Sequence, residues 1–120
     1  MNVRLVKELR FEAAHRLPRV PTTHKCHRLH GHSFRIELVV QGEVDEETGW
    51  FIDYAVIDEL WQPIYDQIDH NYLNEVAGLE NPTSENLARW LWQRLKPKLP
   101  SLTQVTVHET CDARCEYFGD

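Results

Sequence analysis

No apolar stretch in the chain approaches the eighteen or so residues that span a bilayer, and Met1-Asn2-Val3-Arg4 lacks the hydrophobic region of a secretory signal. A membrane role is set aside on that ground, and a cytoplasmic setting is expected. Cysteine is scarce. Cys26, Cys111 and Cys115 make an odd number, which does not suit a disulfide framework and leaves at least one thiol unpaired within the chain. Internal repeats, linkers and low-complexity segments are also missing. The most informative absence is local: no Asp or Glu occurs from Ala13 to Ile36, although the chain as a whole carries a net charge of −6.

That overall charge argues against a general nucleic-acid or anionic-membrane surface. The acid-free window, by contrast, holds Arg16, Arg19, Lys25, Arg28 and Arg35. Local positive charge in an acidic protein suits an anionic small ligand such as a phosphate; a solvated basic loop is the plainer reading of the same residues. With 120 residues, the chain is read as a single domain over 1–120, long enough for one hydrophobic core and too short for two.

Five of the seven histidines lie between His15 and His32. In an extended chain, side chains two apart project from the same face, so His30 and His32 point together. They share parity with Phe34, Ile36, Leu38 and Val40. His15 likewise shares parity with Val3, Leu5, Leu9, Phe11 and Ala13. Three imidazoles therefore face one interior from two strands, and Gly31 between the last two suits a close backbone approach. Neutral imidazole suits zinc, and three histidines with a fourth position left to water or substrate make a catalytic arrangement. Read singly, each histidine is more simply a hydrogen-bonded core or surface residue; the shared parity is what favours a metal.

Periodicity gives the frame. Residues 2–15 and 32–42 alternate as strands, with Lys7 the exception on the inward side of the first. The connection from Arg16 to Gly31 is long for a compact domain, and loops of that length are commonly functional. Asp53 is expected to cap a helix whose stripe is Ile57, Leu60, Trp61, Ile64 and Ile68, with a kink or break at Pro63. Thr83-Ser84-Glu85 opens a second helix with the stripe Leu87, Leu91 and Leu95, closed by Pro97. Leu102 to Glu109 alternates again, and Glu116 to Phe118 adds a short last strand. The predicted order is ββααββ, an α+β fold with a four-stranded antiparallel sheet and two helices on one face.

Several further groups carry chemistry. Cys26 sits in the basic loop, a setting that favours thiolate, and it suits a base, a nucleophile or a fourth zinc ligand. Asp69-His70 offers a carboxylate and an imidazole where a helix meets a loop, either as a proton relay or as plain capping groups. Glu109, at the inward end of a strand, can grip the N–H groups of a heterocycle or serve a buried ion pair. Cys111-x-x-x-Cys115 has no zinc-knuckle spacing and is read as two incidental thiols.

Taken together, Phe11-Glu12-Ala13-Ala14-His15, Cys26-x-x-x-His30-Gly31-His32, Asp69-His70-x-x-Leu73-Asn74, Asn81-Pro82-Thr83-Ser84-Glu85-Asn86-Leu87-Ala88 and His108-Glu109-Thr110 resemble the 6-pyruvoyl-tetrahydropterin synthase family over essentially the whole chain. The three-residue gap after Cys26 resembles its bacterial 6-carboxy-tetrahydropterin synthase branch, which serves queuosine precursor biosynthesis. The resemblance implies conversion of 7,8-dihydroneopterin triphosphate to 6-carboxy-5,6,7,8-tetrahydropterin, acetaldehyde and triphosphate. It implies His15, His30 and His32 as ligands of Zn2+, Cys26 as proton acceptor, His70 and Glu109 in proton relay and pterin anchoring, and Asp69 orienting His70. Lys25 and Arg28 are the basic-loop contacts expected for the triphosphate. A tunnelling fold is implied too, assembling as a homo-oligomer of trimers or hexamers with sites between subunits. Two alternatives stay open: a pyruvoyl-type synthase that releases triphosphate only, and a non-catalytic module whose zinc is structural.

Overall fold

The alternation read from the sequence becomes two long strands, β1 (Asn2–His15) and β2 (His30–Glu43). A computed structural model describes all residues, Met1–Asp120. The two strands pair antiparallel without a break, from Asn2 opposite Glu43 to His15 opposite His30. β2 begins two residues earlier than the periodicity alone marks, so His30 and Gly31 belong to the strand. After β2 come α1 (Tyr54–Ile68), β3 (Asn71–Tyr72), α2 (Ser84–Leu95), β4 (Leu102–His108) and β5 (Cys115–Tyr117).

The sheet therefore has five strands, in the order β3-β1-β2-β4-β5, and the chain runs ββαβαββ instead of ββααββ. The extra strand, β3, pairs parallel with β1 through Ala13–Asn71 and Ala14–Tyr72, and the other pairings are antiparallel. Two residues are too few to show a period.

Both helices start where a short polar side chain takes up a free N–H group. Asp53 accepts from the Ala55 N–H at 2.9 Å, and Thr83 from the Asn86 N–H at 3.1 Å. α1 runs through Pro63 without the expected break. Pro63 and Glu59, whose carbonyl loses its helical donor, both lie on the solvent side, where water can replace that bond.

The core lies between the helices and the inward face of the sheet. Ile57, Trp61, Ile64 and Ile68 of α1 and Leu87, Leu91 and Leu95 of α2 are buried with Phe11, Phe34, Ile36, Leu38, Val105 and Val107. Truncating one of these aliphatic side chains to Ala removes roughly 2–5 kcal/mol. Lys7, the odd residue on the inward side, reaches past the apolar surface to Asp58 at 3.3 Å. Phe11 and Phe34 stack with ring centroids 4.8 Å apart, which ties the middle of the core to the histidine end of the strand pair.

Candidate metal centre

The uninterrupted pairing of β1 and β2 assembles the site. His15 ends one strand directly opposite His30, which opens the other, and His32 lies opposite Ala13. Ring centroids are 4.6 Å apart for His15 and His30, 5.0 Å for His15 and His32, and 4.9 Å for His30 and His32. One nitrogen from each ring lies within 4.8 Å of the other two. Phe34 meets His15 and His32 edge-on and walls the inner side. A Cβ added at Gly31 would stand 3.3 Å from the Ala13 carbonyl oxygen, a tight contact that suits the close approach expected there.

Neighbouring carbonyl groups fix the tautomers. His15 Nδ1–H donates to the Pro82 carbonyl at 2.9 Å, and His30 Nδ1–H donates to the Arg28 carbonyl at 2.8 Å. Each ring is left with a free lone pair on Nε2, the form a metal requires. His15 is 1% exposed, and its Nε2 is buried with no hydrogen-bond partner. An orphaned buried polar atom costs roughly 1–3 kcal/mol, so an ion there would remove a real penalty. Burial, opposed by the Pro82 hydrogen bond and reinforced by His30 and His32, lowers the His15 pKa from 6.5 to about 4. Burial first and His30 second also hold His32 below the usual histidine range. With two rings oriented by main-chain carbonyls, one buried nitrogen left without a partner and three ring nitrogens converging, the trio fits a divalent transition metal.

Glu109 follows β4 directly and lies beside this cluster, with Oε1 3.9 Å from His15 Nε2. Its side chain is 27% exposed, and burial raises its pKa, partly offset by His30. Cys26 occupies the middle of a 3₁₀ turn, Lys25–His27, and is half-buried. Its N–H donates to His24 Nδ1 at 3.0 Å, and its carbonyl accepts from the Leu17 N–H at 2.8 Å. The metal-competent group consists of the three histidines, without Cys26. Lys25 and Arg28 flank Cys26 and are exposed. Cys111 is exposed, Cys115 is half-buried, and all three thiols are free.

Asp69 and His70 form a hydrogen-bonded pair, His70 Nδ1 to Asp69 Oδ2 at 2.7 Å. Asp69 Oδ1 accepts from the Glu12 N–H at 2.9 Å, and the Glu12 carbonyl accepts from the His70 N–H at 2.6 Å. β1 thus grips both residues. His70 has φ +55°, a left-handed conformation uncommon for a non-glycine residue and held here by those bonds. Its pKa is raised by the Asp69 hydrogen bond, while the Glu12 N–H and then His70 lower that of Asp69. The imidazole lines an open groove of about 520 Å³ together with His32, Glu12, Ser33 and Tyr72.

The sequence did not reveal the carbonyls of Pro82 and Arg28, because a main-chain acceptor leaves no residue-type signature. Asn74, whose amide binds the main chain of Arg16, was visible only as part of a motif.

An α+β fold with a converging trio of histidines and an imidazole-carboxylate pair beside an adjoining groove defines the class to which the following relatives belong. The family model for 6-pyruvoyl tetrahydropterin synthase matches residues 4–120, and the chain belongs to that family. A 6-carboxy-5,6,7,8-tetrahydropterin synthase of Synechocystis sp. is 42% identical, over 96% of this chain and 92% of its own length. A dihydroneopterin monophosphate aldolase of Pyrococcus furiosus is 32% identical, over 83% of this chain and 81% of its own. The solved 6-pyruvoyl tetrahydropterin synthase of Caenorhabditis elegans superposes with a TM-score of 0.91 at 28% identity, covering 100% of this chain and 97% of that one. No helix is long and apolar enough to cross a membrane.

Proposed function

We propose that the protein is a zinc-dependent 6-carboxy-tetrahydropterin synthase, converting 7,8-dihydroneopterin triphosphate to 6-carboxy-5,6,7,8-tetrahydropterin with release of acetaldehyde and triphosphate, for 7-deazaguanine (queuosine) precursor synthesis in the cytoplasm. The observation that carries this reading is the buried, partnerless Nε2 of His15, facing His30 and His32 and lying beside a carboxylate. The 42% identity to a relative of that activity supports the same choice.

His15, His30 and His32 are the residues that would hold the ion. Zinc, once held, would supply Lewis acidity to oxygens of the substrate side chain and make the adjoining C–H easier to deprotonate. Cys26, on its tethered turn, accepts that proton. His70, oriented by Asp69, passes a proton to or from the groove it shares with His32. Glu109 grips N–H groups of the pterin ring and fixes the reacting carbon, which converts binding into orientation. Lys25 and Arg28 meet the triphosphate.

Residues 1–120 act as one unit that works as a homo-oligomer, a trimer or hexamer with sites between subunits. The two-residue β3 covers β1 only at Ala13 and Ala14, so most of the outer edge of β1 is open to a strand from a second copy. Met1, Val6, Trp50 and Phe118 are large apolar side chains that a single copy leaves exposed.

The second reading is a pyruvoyl-type reaction, the activity named for the nematode structure on which the chain superposes. Incubation with dihydroneopterin triphosphate separates the two, since acetaldehyde appears only with the carboxy-type reaction. Cys26→Ala is expected to keep one zinc per chain and to lose turnover by roughly 10²–10⁴-fold. Loss of the metal in that variant would instead indicate a structural site with a cysteine ligand.

A further inference from the structure

His15 is the last residue of β1, and a strand end that carries a ligand must be kept from fraying. Arg16, the next residue, has no strand partner. Instead, the side chain of Asn74 acts as one: Oδ1 accepts from the Arg16 N–H at 3.0 Å, and Nδ2 donates to the Arg16 carbonyl at 2.9 Å. The second hydrogen on Nδ2 goes to the Glu80 carbonyl at 3.4 Å. An amide flipped by half a turn would set like groups against one another at all these contacts, so the partners allow one orientation.

The three contacts join three parts of the site. Asn74 lies in the turn Leu73–Glu75, directly after β3, and β3 itself follows His70. Glu80 is two residues before Pro82, whose carbonyl orients His15. Arg16, pinned through its main chain, turns its side chain to the cysteine loop, where Nη1 meets His27 Nε2 at 3.2 Å and the His27 carbonyl at 3.5 Å. One amide therefore holds the strand end that carries His15, the segment that sets its tautomer, and, through Arg16, the turn that bears Cys26.

We infer that Asn74 is a positioning residue of the metal centre, fixing the His15 ring against His30 and His32 and the Cys26 turn against all three. The inference rests on the reading of the three histidines as metal ligands. Asn74 touches neither metal nor substrate. Its effect is on alignment: a group bonded directly to a ligand ring is worth roughly 10–100-fold in metal affinity, and Asn74, one bond further out, belongs at the lower end.

The test uses Asn74→Leu, close in size and uncharged, and Asn74→Ala, each purified metal-free and titrated with Co(II) and with Zn(II) against a competing chelator. Metal affinity of the folded protein is expected to fall about tenfold, with a shifted Co(II) visible spectrum and a lower kcat. A residue of merely structural importance would lower the melting temperature while leaving affinity and spectrum unchanged, and that result overturns the assignment. A wild-type protein that binds neither ion removes the underlying reading as well. Should both variants fail to fold, amide hydrogen exchange on the wild type decides. Coupling between two sites is reciprocal, so zinc must slow exchange at the Arg16 N–H; an exchange rate indifferent to zinc refutes the role.

Discussion

Replacing His15 with Asn removes a titrating group while keeping its bond to the fold, because the Asn amide nitrogen can take the place of Nδ1 and donate to the Pro82 carbonyl. In the metal-free protein His15 titrates near 4, and in the unfolded chain near 6.5. Between those values the unfolded chain binds the extra proton, so stability falls as pH falls and is fully present only above about 6.5. Integrating that difference from about pH 7.5 to about pH 4.5 gives a loss of about 2.5 kcal/mol from this one residue. The assay is urea unfolding of metal-free protein across that range, followed by circular dichroism at fixed protein concentration. The wild type is expected to lose about 2.5 kcal/mol more than His15→Asn over the interval. The variant's lower absolute stability does not matter, since the readout is the slope. Parallel pH profiles would refute the reasoning, because they would mean that His15 takes up protons in the fold as readily as in the open chain.

The same geometry sets two further outcomes. Glu109→Ala is expected to weaken pterin binding by at least tenfold, about 1.4 kcal/mol, while changing zinc affinity little, measured by calorimetry with a dihydropterin and by chelator competition; unchanged pterin affinity removes Glu109 from the binding role. Asp69→Asn is expected to bring the His70 pKa down from its raised value toward 6.5, read by NMR titration of the ring, and to move the alkaline limb of kcat to lower pH. The pair's contribution to stability lies between the two unfolded values: the raised His70 share is lost as pH rises through its folded pKa, and the lowered Asp69 share is lost as pH falls below 3.8.

The inward placement of His15, His30 and His32 was legible because a strand's two-residue period is a strong signal over fourteen residues, and the core side of that period was marked by Phe11, Phe34, Ile36 and Leu38. The helix starts at Asp53 and Thr83 were legible for the same kind of reason, since one side chain meets one free N–H. β3 was not, because its two residues are held by tertiary contact with Ala13 and Ala14. Pro63 misled because the usual penalty for proline presumes a helix carbonyl with no other partner. The grip of Glu12 on Asp69 and His70 spans 57 residues and runs mainly through the backbone, beyond the reach of any local pattern.

The ladder between β1 and β2 runs through fourteen consecutive partners with no bulge. Adding or deleting one residue within either strand would put part of it out of phase, sending histidines and core side chains together to the opposite surface. The loop between them carries no such phase. A change of length between Leu17 and Lys25 leaves the histidines in register, whereas a one-codon change in the ladder would part them and open the core at once.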